Sequence, residues 1–233
     1  MLSGISTEYY LRLEQGRESQ PSDQVLDGLA RALQLNDDAA EYMRNLTRPT
    51  PRRHRRPSRE RVDPGVQSLI DGWVSNPAYV QGRRMTVLAA NPLARALSPV
   101  FAPGVNLLSA TFLDPEMGPT FLRNWDAIAA VMAASARCMV GAENAADPEI
   151  VTLIGELSVA SQRFRMLWAR HDVKQKTTGP ALFDHPQLGP LDLHYRTLVL
   201  PETRQVITVY HAESGSPSEE RLRLLSTLAH SSV

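Results

Sequence analysis

Lysine is almost missing from this 233-residue chain: Lys174 and Lys176 are its only two, and the other basic residues are arginines. Cysteine is scarcer still. A single one, Cys138, excludes an intrachain disulfide and fits a reducing compartment. No apolar run approaches the ~18 residues of a membrane helix, and the start lacks a basic-then-apolar leader pattern. A soluble, cytoplasmic protein without a membrane partner is therefore expected. Catalytic signatures are missing too. There is no Gly-x-Ser-x-Gly, no phosphate-cradling glycine loop and no His-Glu-x-x-His. No catalytic residue and no enzyme activity are expected. Net charge is also absent: the formal total is zero, so bulk charge argues for neither nucleic acid nor membrane.

What is present is unevenly distributed. Residues 1–48 carry five arginines and eight acids, whereas residues 49–64 carry six arginines and two acids. Hydrophobic residues make up 42% of the chain, enough for a real core. The first block, 1–48, reads as helices. Ser6 can cap one that runs to about Gln15 and stops at Gly16, and Ser22 can cap "DQVLDGLARALQL". Asn36 or Asp37 opens a third, "NDDAAEYMRNL". The stretch 49–65 is rich in proline and arginine and too poor in apolar surface to fold alone, so it reads as a linker.

The block 66–233 is mixed. "VQSLIDGW" has helical character. "AYVQ" and "MTVLAAN" flank Gly82-Arg83-Arg84 as a hairpin. "PLARALSPVF" and "GVNLLSATFL" read as short helices, and residues 120–141 as one long helix with Leu122, Trp125, Ala129, Met132 and Ala136 along one side. Two more helices follow, the first capped by Asp147. The period then changes to two, giving strands in "GPALFDHP", "GPLDLHYRTLVL" and "RQVITVYHAE". A helix with a capping-box start, "SPSEERLRLLSTLA", ends the chain. This order predicts an α+β protein: a short all-α segment, then an antiparallel sheet covered by helices.

The opening helix carries the most specific message. On it, Thr7, Glu8, Tyr9 and Arg12 can face outward, and Ile5, Tyr10 and Leu13 inward; Arg17 follows where a phosphate contact is possible. The same pattern fits an ordinary surface helix. However, Gly4-Ile5-Ser6, Arg12-Leu13-Glu14-Gln15-Gly16 and Pro21-Ser22 before "LARAL" resemble the later part of an Xre-type helix-turn-helix. The second block resembles the ligand-binding domain of MmyB-like transcription regulators through "MTVLAANPLARAL", "FLDPE", "NWDAIAAVMAASA", "GELSVASQRFRMLWARHDV", "FDHPQLGPLDLHYRTLVLP" and "VYHAESGSPSEERLRLL". The resemblance implies a homodimeric transcription factor on a double-stranded DNA operator, with Thr7, Glu8, Tyr9 and Arg12 near bases and Arg17 on phosphate. It also implies a PAS-like sensor domain for a small apolar ligand such as a fatty acid, with no other cofactor. The chain departs from the Xre pattern at its front, where helices are missing. A start placed too late or a truncation is expected, leaving Ile5, Tyr10, Leu13 and Leu29 partly uncovered. The alternative is a truncated ligand-binding protein that does not bind DNA.

Within the sensor, Phe164, Leu167, Trp168 and His171 fall at i, i+3, i+4 and i+7. That stripe could line a pocket whose histidine end holds a carboxylate, or it could be ordinary core. Trp125 and Met132 have the same two readings, as do Trp73, Tyr79, Asn91 and Leu93 near the hairpin. Cys138, in an apolar helix, is expected to be a packed thiol. His185, His194 and His211 need not converge, so no metal site is expected.

Overall fold

The computed structural model describes residues 6–17, 20–47, 60–142 and 147–231. Most of the expected linker and the opening residues, Ile5 included, lie outside these described residues. The first block forms α1 (Thr7–Glu14), α2 (Asp23–Ala32) and α3 (Asp37–Thr47). Their caps are those the sequence indicates: the Ser6 hydroxyl accepts from Tyr9 N–H at 3.2 Å, the Ser22 hydroxyl from Val25 N–H at 3.4 Å, and the Asn36 side chain from Ala39 N–H at 2.9 Å. Gly16 ends α1 at φ 67°, a left-handed conformation that glycine adopts without strain. Arg44 on α3 pairs with Asp27 on α2 at 2.9 Å.

The second block contains α4 (Pro64–Asp71), β1 (Ala78–Gln81), β2 (Val87–Ala90), α5 (Pro92–Leu97), α6 (Leu107–Leu113), α7 (Trp125–Ala142), α8 (Pro148–Ala160), α9 (Gln162–Trp168), β3 (Thr178–His185), β4 (Gly189–Val199), β5 (Val206–Ala212) and α10 (Pro217–Ser231). The five strands form one antiparallel sheet in the order β2-β1-β5-β4-β3. The protein is α+β, as its sequence predicts.

Two faces of this sheet do different things. On β4, Leu191, Leu193 and Tyr195 are buried while Asp192, His194 and Arg196 are exposed, the alternation of a strand covered on one side. The covered face meets α5, α6, α7, α9 and α10 in a single core that contains Tyr79, Leu93, Leu108, Met132, Phe164, Phe183, Tyr210 and Leu222. The other face is covered at the β2-β1-β5 end, where Ile70 of α4 packs with Ala78, Val80, Ala89 and Ile207. That double cover explains why all four residues of β1 are buried. Asp63 caps α4, Val62 packs into this smaller core, and Arg61 C=O accepts from Gln205 at 2.9 Å. Residues 60–65, expected as the end of the linker, are thus built into the body of the domain.

Two elements differ from expectation for visible reasons. The long helix begins at Trp125, not near residue 120. Residues 121–123 instead run along the open edge of β3: Arg123 N–H donates to Leu182 C=O and Asp184 N–H to Phe121 C=O, both at 2.8 Å, with Leu122 bridged to Phe183. Pairing a free edge satisfies backbone groups that a longer helix would leave open. Likewise "PLARALSPVF" breaks at Ser98, whose backbone is extended before Pro99, and resumes as one 3-10 turn.

Candidate functional site

The centre of the covered face is aromatic. Tyr79 stacks on Phe101 with centroids 4.9 Å apart, Phe101 meets Tyr210 at 5.5 Å, and Tyr210 meets Phe183 edge-on at 5.6 Å and Tyr195 at 6.4 Å. Tyr195 lies flat against β3 because its cross-strand partner is Gly179, where an added Cβ would come within 3.0 Å of the phenol. Rings of this kind offer apolar area with polar tips. Burial, with Tyr79 alongside, pushes the Tyr210 hydroxyl well above its usual range, and the same two causes raise Tyr195. At neutral pH both are hydrogen-bonding phenols, not bases.

A cation reaches this wall. The chain between α9 and β3 crosses the covered face without regular structure, and Lys176 projects from it. Its ammonium donates to the Tyr79 hydroxyl at 3.2 Å and lies 4.8 Å from the Tyr195 ring centroid, a cation–π distance. Among the described residues no carboxylate pairs with it. Beneath it, register aligns Thr197, Thr208 and Tyr79 in one row across β4, β5 and β1. Thr208 is wholly buried and Gln81, two residues beyond Tyr79 on the same face, is 8% exposed; among the described residues the Thr208 hydroxyl and the Gln81 carbonyl oxygen have no hydrogen-bond partner. None of Lys176, Thr208, Gln81, Tyr195 and Tyr210 is among the ligand candidates named from the sequence. The available signals were a lysine in an arginine-dominated chain and a threonine at a core-facing position of β5.

The ligand candidates named from sequence separate into four settings. Tyr79, Leu93, Met132, Phe164 and Leu167 belong to the main core, with Trp125 and Trp168 half-buried against it. The Trp125 indole N–H donates to Thr111 C=O at 3.0 Å, and Trp168 stacks on Phe164 at 5.4 Å beneath the Arg137 guanidinium, 4.0 Å away. Trp73 is elsewhere, in the smaller core on the opposite face of the sheet. Asn91 is buried and spends both ends of its amide on the backbone: it donates to Ile70, Trp73 and Asn76 carbonyls and accepts from Ala78 and Ala94 N–H groups. The stripe ending in His171 is not formed. The helix stops at Trp168, and His171 follows in a left-handed turn (φ 56°), exposed. His171 therefore does not supply the polar end of an internal pocket.

On α1, Thr7, Glu8 and Arg12 are exposed and Tyr9 is half-buried; Arg17, just beyond it, is exposed. Arg12 lies 4.0 Å from Glu8 one turn before it. Tyr10, Leu13 and Leu29 are half-buried. An open cleft of about 400 Å³ along α3 is lined by Asp37, Ala40, Glu41, Arg44 and Asn45, a polar setting with nothing for an apolar ligand.

Burial, reinforced by the charge of Asp38 on α3, pushes the Cys138 thiol up to about 11, which makes it a poor nucleophile. The histidines give one correction. His194 and His211 do converge: they are cross-strand partners on the outer face, with rings stacked at 5.7 Å. His185 is on the covered face, where Nδ1 accepts from Gln187 N–H at 3.3 Å, so Nε2 donates to Ala96 C=O at 3.2 Å. Among the described residues no group of three His, Cys, Asp or Glu side chains is arranged to hold a metal ion, and no helix is long and apolar enough to cross a membrane.

Comparison with curated proteins finds no match. A family profile does match, over residues 62–225, which covers the sheet, its helical cover and α4. By that match, the chain belongs to the family of the MmyB-like transcription regulator ligand binding domain.

Proposed function

We propose that this chain is a ligand-responsive, DNA-binding regulator. Its sheet domain takes a small apolar molecule of fatty-acid type, and its N-terminal helices meet a double-stranded DNA operator, one pair per subunit of a cytoplasmic homodimer. Membership in a regulator family supports the sensor role. The observation that carries the link between the two halves is the strap before β3. Gln175 N–H donates to Asp38 of α3 at 3.0 Å, Lys174 C=O accepts from Ser135 of α7 at 3.0 Å, and the next lysine reaches Tyr79 inside the sheet domain. A ligand that binds one arrangement of this strap better than another shifts α3 by that difference in affinity. On α1, Thr7, Glu8, Tyr9 and Arg12 would read the groove and Arg17 would hold phosphate.

The test is a gel shift on the intergenic DNA upstream of the gene, with and without decanoate, using this chain and Asp38→Ala. Retarded DNA whose midpoint moves with decanoate, and moves less in Asp38→Ala, supports the reading. The second reading, a ligand-binding protein silent towards DNA, is favoured by α1, in which no side chain is buried. Decanoate binding without any DNA retardation would establish it.

A further inference from the structure

The geometry points to a transition-metal site on the outer face of the sheet, with His194 and His211 as its two protein ligands. This goes beyond the sensor reading and does not depend on it. The expectation of no metal site assumed that the histidines need not converge, yet antiparallel register makes these two direct neighbours. Their ring centroids are 5.7 Å apart and their planes differ by 26°. A divalent ion taking one nitrogen from each ring at about 2.0–2.1 Å holds the ring centres roughly 4.5–6.4 Å apart, from a right-angled to a linear arrangement. The observed separation falls inside that range. A turn of the exposed His194 ring about its own side-chain bonds is the adjustment that the chelate asks for.

The second observation is that both rings are unspent. Among the described residues neither makes a hydrogen bond or an ion pair, and their contact is with each other. His185, by contrast, uses both of its nitrogens on the backbone. His194 is exposed and His211 half-buried. α4 covers this face over Ala78, Val80, Ala89 and Ile207, short of the pair. Solvent therefore reaches the imidazoles, and with it an ion and the water molecules that fill its remaining positions.

The class of ion follows from the donors. Imidazole nitrogen suits copper, nickel and zinc, whereas magnesium and calcium require oxygen. Nearby charges roughly cancel. Asp192 is already paired with Arg123, and exposed Glu213, two residues past His211, is offset by Arg196, two residues past His194. The imidazole lone pairs, not bulk charge, thus carry the binding. Among the described residues no third side chain joins the pair as a ligand, so the ion is exchangeable. Two ligands fixed by strand register still bind far better than one, because the second attachment is intramolecular.

The test is calorimetric titration of the full chain with nickel chloride at neutral pH. One nickel ion per chain should bind, copper more tightly and magnesium not at all. His194→Asn and His211→Asn should each weaken nickel at least about tenfold. His171→Asn, which alters an exposed histidine elsewhere, should leave it within about twofold. At nickel about a hundredfold above Kd, Tm should rise by about 5–10 °C in the wild type and stay unchanged in His194→Asn. Because His194 is exposed, the metal-free Tm of His194→Asn should match the wild type, which separates a lost ligand from a lost fold. Absence of saturable nickel binding overturns the site. So does an affinity unchanged in His194→Asn and His211→Asn, and so does displacement of nickel by equal magnesium, which would assign the ion to carboxylates.

Discussion

The helices before the arginine-rich stretch and the sheet domain after it are stabilised in unlike ways. In the first region α1 buries nothing, and α2 and α3 bury Leu26, Gly28 and Ala40. In the second, α7 alone buries Ala129, Met132, Ala133, Ala134 and Ala136, and the core beyond it is continuous. Hydrophobic stabilisation scales with apolar area removed from water, so the first region has little stability of its own. It depends on docking, through α3 against α7 and the strap. A helical block held by a few contacts is repositioned by a smaller change in the sheet domain than a block with a core of its own would be.

Substitutions can break or sharpen this contrast. The largest effect is expected in the main core: Phe164→Ala should cost about 3–5 kcal/mol in chemical denaturation, against about 1 kcal/mol or less for the half-buried Leu29→Ala in the helical block. Equal losses would mean the two regions share one core after all. Asn91→Ala comes next, at about 2–4 kcal/mol, because it strands buried backbone groups around α4, β1 and α5. Asp38→Ala should cost about 0.5–1.5 kcal/mol and speed proteolysis within α1–α3 without changing hydrogen exchange in the sheet; protection lost in both regions would contradict the docking picture.

Cys138 reports on that docking directly, since α3 lies over it. Its folded pKa, about 11, is raised from 9.0. The neutral thiol's contribution is therefore fully present below pH 9 and is lost as pH rises towards 11. Alkylation by iodoacetamide at pH 8 should run about a hundredfold slower than for a free thiol, from the ionised fraction alone, and Asp38→Ala should hasten it. The smallest effect belongs to α1, where Leu11→Ala should stay within about 0.5 kcal/mol.

Local elements were readable because their causes are local. Ser6, Ser22 and Asp147 cap the helices that follow them, and the alternation around Leu191, Leu193 and Tyr195 marks the inner face of β4. The site was less readable. Phe164, Leu167, Met132 and Tyr79 were recognised as inward-facing, but helical spacing carried the stripe on to His171, past a helix that ends at Trp168. Spacing also could not show that Asn91 would be consumed by backbone groups from Ile70 to Ala94, or that Trp73 would fall on the opposite side of the sheet.

The amino-acid order by itself determined the α+β class, the capped helices, the period-two strands and the family, because each depends on side chains a few residues apart or on a long ordered series of such stretches. Only the tertiary structure decided which polar groups meet. Lys176 reaches Tyr79 across 97 positions of chain, antiparallel register sets Thr208 opposite Tyr79, and no pattern along the chain encodes a register before the sheet has formed.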